Sequence, residues 1–199
     1  MNRSLQCGCG KLRGQLNDTQ TCMRIICYCT DCQAFARFLG APKRMLDDMG
    51  GSGVVVTHPQ QVAFTHGAEH LACMSLSQKG LYRWYASCCN TAIGNTPRSR
   101  KMAFASVSET CLKDPGTSLD RAFGPVRLRS MVKGATGKVA SSGWRMVPVV
   151  LRVMSMMIKA RLGGSYRRTP FFRADGAPVV QPRVLAVEER RRLDQASTP

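Results

Sequence analysis

Apolar positions in the first half of the chain come in short runs. Lys11 to Leu16 alternates weakly, Thr21 to Cys27 turns apolar toward its end, and Gly53 to Thr57 reads GVVVT, β-branched and bounded by glycine. Gln61 to Thr65, Leu71 to Ser75 and Leu81 to Ser87 follow, separated by Gly, Asn or Ser turns. Short runs with such punctuation predict strands. Gly50-Gly51-Ser52-Gly53 predicts a loop, and Cys32 to Leu39 a short helix. Several strands with little helix between them predict a mainly β chain with a small antiparallel fold.

The second half is patterned differently. Ser130 to Ser142 is rich in Gly, Ser and Lys and predicts a linker. Trp144 to Leu162 predicts a helix, because Arg145, Arg152, Ser155 and Lys159 share one stripe while Val, Leu, Met and Ile fill the rest. Pro148 must lie in its first turn, and Gly163-Gly164 stops it. The broad apolar face predicts burial against the chain's own core, not a membrane surface or a partner. Tyr166 to Pro182 reads as loop, and Glu188 to Leu193 as a short charged turn of helix.

Composition divides the chain at nearly the same place. Of the ten cysteines, nine lie between Cys7 and Cys89, and Cys111 is the last. Residues 1–110 hold 12 basic and 6 acidic residues, and residues 111–199 hold 17 and 6. The expected organisation is a cysteine-bearing β domain over 1–110 and a basic extension over 111–199, with a helix near 144–162. The net charge of +17 favours an anionic partner without naming one. No run approaches the roughly 18 apolar residues of a membrane helix. Met1 to Gly10 is polar, so a secretory signal is not expected and the expected location is cytoplasmic. Ten thiols in a reducing compartment point to metal or thiol chemistry, not to disulfides.

Three motifs carry that chemistry: Cys7-Gly8-Cys9-Gly10, Cys27-Tyr28-Cys29-Thr30-Asp31-Cys32, and Cys88-Cys89 within RWYASCCNT. Zinc–sulfur bonds of about 2.3 Å place ligand sulfurs about 3.8 Å apart, which steps of two or three residues around a tight turn achieve. Cys27, Cys29 and Cys32 supply three thiolates and leave a fourth position free, the arrangement of a catalytic zinc. Cys22, Cys73 and Cys111 read as isolated core thiols. His58, His66 and His70 stand in no metal-like spacing with a cysteine and read as surface or loop residues. Asp31 is the nearest acid to this cluster and reads equally as a cap for the turn that follows, so no general base is assigned.

With these motifs the chain resembles the glutathione-dependent formaldehyde-activating enzyme (GFA) family, which includes centromere protein V. CGCG and CYCTDC match the family's C-x-C-G and C-x-C-x-x-C, and Tyr85 to Asn90 aligns with its F-C-x-x-C-G. The likeness covers about residues 5–105. RWYASCCNT and the C-terminal helix are similar to a subgroup of uncharacterised bacterial proteins in that superfamily. The resemblance implies an Mss4-like, zinc-stabilised antiparallel β fold with a C-terminal helical extension. It also implies two Zn2+ sites: a structural one at Cys7, Cys9 and the third motif, and a catalytic one at Cys27, Cys29 and Cys32. Two positions depart from the pattern, since Ala86 replaces the first cysteine of the C-x-x-C and Asn90 the glycine after the second. Cys89 matches the remaining ligand. Cys88 is the expected fourth thiolate, with Cys73 or Cys22, a three-thiolate site, or no structural site as alternatives.

The function expected from the resemblance is carbon–sulfur lyase action on a small thiol adduct such as S-hydroxymethylglutathione. Arg24, Arg37 and Arg83 flank the motifs and are candidates to capture an anionic thiol. The alternative is a non-catalytic zinc-stabilised module that contacts an acidic partner or nucleic acid. Scattered basic residues, few aromatics and the lack of a nucleic-acid zinc-finger spacing argue against a specific nucleic-acid reader.

Overall fold

The alternating runs fold into a mainly β chain with mixed and antiparallel sheets and several helices. The computed structural model describes residues 2–112 and 116–195. Parts of the expected 111–199 segment, residues 113–115 and 196–199, lie outside the described residues. The strands are β1 (Arg3–Gln6), β2 (Arg13–Leu16), β3 (Met23–Cys27), β4 (Ser52–Thr57), β5 (Val62–His66), β6 (Leu71–Ser75), β7 (Tyr82–Ala86), β8 (Thr91–Thr96), β9 (Ala105–Ser108), β10 (Leu128–Ser130) and β11 (Arg183–Val184). The helices are α1 (Thr30–Phe38), α2 (Pro42–Met45), α3 (Leu119–Phe123), α4 (Met146–Leu162) and α5 (Val187–Gln195).

β1, β2 and β5 form a three-stranded antiparallel sheet. The larger sheet has eight strands in the order β10-β3-β4-β9-β8-β7-β6-β11. Its interior pairs are antiparallel, but β10 runs parallel to β3 and β11 parallel to β6. A parallel pair needs a long return of the chain. The chain between β3 and β10 and between β6 and β11 makes those returns, and the two edge strands themselves, β10 and β11, lie within residues 111–199.

The period of two sorts side chains to two faces. On one face Trp84 is fully buried, with Leu5, Leu12, Leu16, Ile93 and Val107 in the same core. Phe171 and Phe172, from the segment read as loop, join it, and the Phe171 ring centroid lies 5.0 Å from that of Trp84. On the other face Ala34, Phe35 and Leu39 of α1 pack with Met45, Met74, Ala92 and Leu185. Arg83, between Tyr82 and Trp84, therefore points to the helix side.

One expectation is corrected here. The apolar face of α4 is not buried in the core: Val147, Val150, Leu151, Met154, Ile158 and Leu162 are exposed, and Ala160 is the buried residue of this helix. The helix carries more apolar surface than one contact line can cover. Val149, Val153, Met156 and Met157, half-buried, make up the side turned inward. Among the described residues no helix is long and apolar enough to cross a membrane.

Candidate metal centres

Two hairpin ends build the first thiol cluster. β1 and β2 pair up to Gln6 and Arg13, and the loop between them carries Cys7 and Cys9. The Cys7 N–H donates to the Leu12 carbonyl at 3.0 Å, and the Leu12 N–H donates to Cys7 Sγ at 3.3 Å. β7 and β8 pair up to Ala86 and Thr91, and their turn carries Cys88 and Cys89. Asn90 closes that turn in the left-handed region, at φ 53°. Asn tolerates this backbone better than most residues other than Gly.

The four sulfurs lie within 4.8 Å of one another. Cys7 Sγ is 3.6 Å from Cys9 Sγ and 3.8 Å from Cys88 Sγ. Cys9 and Cys88 are 3.3 Å apart, and Cys88 and Cys89 3.8 Å. These separations approach the sulfur–sulfur edge of about 3.8 Å around a tetrahedral zinc. The Gly8 N–H donates to Thr91 Oγ1 at 2.9 Å, and the same hydroxyl lies 3.1 Å from Cys89 Sγ, so Thr91 ties the two turns together. Burial pushes the Cys89 thiol up, but hydrogen bonds from Thr91, Cys9 and Cys7 outweigh it and leave it at about 6. Burial and the neighbouring thiols push Cys88 up to about 12.

The second cluster forms where β3 runs into α1. Cys27 ends the strand, Cys29 caps the helix, and Cys32 lies one turn in. The Cys32 N–H donates to Cys29 Sγ at 3.3 Å. Cys29, and not Asp31, therefore holds the cap position. Cys27, Cys29 and Cys32 bring three sulfurs within 4.8 Å of one another. Hydrogen bonds from the Cys29 and Cys32 thiols hold Cys27 well below the ordinary thiol range, against the effect of burial. Donation to Cys27 raises Cys29 and Cys32 in turn. Both donor sets suit a metal ion: each presents converging sulfurs, and each has a backbone N–H aimed at a sulfur.

Arg83 is buried and donates from Nη1 to Cys32 Sγ at 3.9 Å and to Asn95 Oδ1 at 3.2 Å. Its guanidinium stands 5.3 Å from the Phe35 ring centre. The other two candidate arginines are placed elsewhere. Arg24 pairs with Glu109 and Asp120, and Arg37 donates to the Leu193 carbonyl and to Gln33. Asp31 is engaged by Arg190 at 2.7 Å and by Arg83 at 3.6 Å.

Cys22, Cys73 and Cys111 are buried apart from both clusters. Cys22 Sγ donates to Thr57 Oγ1, and Cys73 to the Met74 carbonyl, so neither stands in for Cys88. His58 is a loop residue, as one of the two expectations had it, but it is buried, and it accepts the Gln60 N–H while facing Ser165. Sequence reasoning missed Thr91, Asn95 and Arg190. Thr91 and Asn95 flank the short Ala92-Ile93-Gly94 stretch after Cys89, and Arg190 opens the Arg190-Arg191-Arg192 run.

Residues 2–182 match the family of unknown function DUF6151. The chain belongs to this family. Among solved structures, the DUF6151 chain is similar to a Rhodobacter sphaeroides protein whose crystal structure was a Northeast Structural Genomics target. The two are 20% identical, the match covers 63% of this chain and 97% of the other, and the TM-score is 0.39. No curated protein matches the DUF6151 chain.

Proposed function

We propose that this DUF6151 chain is a GFA-like zinc protein on an Mss4-like scaffold, a carbon–sulfur lyase for a small thiol adduct such as S-hydroxymethylglutathione. The observation that supports the reading is the inequality of the two clusters. Cys7, Cys9, Cys88 and Cys89 offer four sulfurs, enough to close a tetrahedral ion. Cys27, Cys29 and Cys32 offer three and leave one position for a substrate sulfur.

Bound zinc would supply an acid site that keeps a substrate sulfur as thiolate at neutral pH. In the lyase direction the carbon–sulfur bond breaks and its electron pair stays on sulfur. The hydroxyl proton passes to solvent water as the carbonyl of formaldehyde forms. Nothing is oxidised or reduced. Arg83 sits where its cation offsets the charge gathered on Cys32 and its neighbours. Asp31, held by two arginines, orients Arg83.

The test is metal analysis of anaerobically prepared protein, with Cys29→Ser alongside. Two zinc ions per chain are expected, one for each cluster, and one in the variant. Adding glutathione to cobalt-substituted protein should change its visible spectrum, and S-hydroxymethylglutathione should release formaldehyde. A spectrum that glutathione leaves unchanged overturns the lyase reading, and protein without zinc overturns the zinc sites.

A specific observation favours the second reading, a zinc-stabilised module without catalysis. The cavity lined by Cys32, Arg83 and Asn95 has a volume of about 10 Å³. That is room for about one water, so a substrate would have to approach from the half-exposed side of Cys27 and Cys29. Bound zinc with no formaldehyde release would select this reading.

A further inference from the structure

We infer that the outward face of α4 docks on an anionic phospholipid surface. Val147, Leu151, Met154, Ile158 and Leu162 recur at steps of three and four and form one stripe. They are between 45% and 84% exposed, and Trp144, just before the helix, is 90% exposed. The stripe cannot roll inward. Ala160 is buried on the opposite side, Arg152 donates to the Thr21 carbonyl at 3.1 Å, and Ser165, just beyond the helix, contacts His58.

The charge around the stripe has one sign. From Arg121 to Arg173 the chain carries twelve Lys and Arg residues and no Asp or Glu. Arg145, Lys159 and Arg161 of this set lie along α4 and are exposed. An apolar stripe with cationic flanks and a tryptophan at one end fits the boundary between headgroups and acyl chains. Nucleic acid would answer the charge but leave the stripe in water. An acidic protein groove would need to enclose the helix, whose inner side faces Met23 and Arg127 of the same chain across a cleft. A planar surface needs only the outward half.

The experiment is flotation of the full chain with vesicles of phosphatidylcholine alone or mixed with phosphatidylglycerol. Binding is expected to the anionic vesicles and to weaken steeply with salt. The fluorescence of Trp144 should shift to the blue and the shift should vanish in Trp144→Phe, since Trp84 is already buried. The double variant Leu151→Ser/Ile158→Ser changes only exposed positions and should bind about tenfold more weakly. Circular dichroism checks that its fold is intact. No binding to anionic vesicles at low salt overturns the proposal. So does undiminished binding by the serine variant. Binding of a DNA duplex in preference to vesicles, unaffected by the serine changes, assigns the surface to nucleic acid and also overturns it.

Discussion

Arg190 Nη1 lies 2.7 Å from Asp31 Oδ1, which joins α5 to the turn that carries Cys29 and Cys32. The same arginine holds Asp194 one helical turn further on. Arg37 reaches the Leu193 carbonyl at 3.1 Å, so α5 is fastened to α1 at two points.

Breaking the Asp31 contact should loosen α5 without unfolding the sheet. For Asp31→Asn the expected cost is about 0.5–1 kcal/mol, the range of a partly exposed pair. Hydrogen exchange should quicken in residues 187–195 and stay unchanged in β7 and β8. Equal protection of α5 in both proteins would show that the pair does not hold the helix.

Phe171→Ala should be far more costly. The ring is 1% exposed and packs on Trp84 and Phe64. The expected loss is about 3–5 kcal/mol, read as a lower denaturant midpoint. A loss near zero would mean that residues 165–182 do not share the core.

Arg83→Met should weaken metal retention at the three-thiol cluster and spare the four-thiol cluster. Removal of a group that contacts a ligand sulfur typically costs about tenfold or more in metal affinity. Titration with a competing chelator should therefore resolve one weakened site and one unchanged site. Uniform weakening of both would assign Arg83 to global stability.

His58 makes stability depend on pH. Burial, then the nearby Arg168 charge, depress its folded-state value below the ordinary 6.5. The unfolded chain therefore takes up the proton first. The contribution of this residue is complete above about pH 6.5 and declines as pH falls through that value toward the folded one. His58→Asn keeps a side-chain acceptor for the Gln60 N–H and should flatten the fall in denaturant midpoint between pH 7 and 5. A slope that the substitution leaves intact would place the dependence elsewhere.

Much of the β framework is legible in the residues. Leu71–Ser75 runs as expected, and β3, β4, β5 and β7 differ from the expected runs only at their ends. β8 and β9 were not readable. Thr91–Thr96 is buried on both faces, shows no alternation and contains Gly and Asn, and Ala105–Ser108 alternates over only four residues, with small side chains. β1 has only four residues, and its Arg3 is buried with its guanidinium donating to the Leu112 carbonyl. Phe171 and Phe172 sit among Pro and Gly, whose local signal is loop. Their burial depends on Trp84, far away in sequence.

The thiol sites divide in the same way. Cys27, Cys29 and Cys32 are local, and their spacing alone brings them together. The meeting of Cys7 and Cys9 with Cys88 and Cys89 depends on two hairpins ending side by side, which spacing cannot reveal. The direction faced by α4 was not legible either. Periodicity shows that a helix has an apolar stripe, but not which of two apolar sides the core selects.

The two parallel edge strands also set a schedule for synthesis. β3 and β6 leave the ribosome long before β10 and β11, the strands that cover them. Until Arg183 and Val184 are made, the nascent chain carries an open β edge at β6, where unpaired backbone can recruit another chain. Shielding that edge until the last strand arrives is a requirement that the strand order itself imposes on the nascent chain.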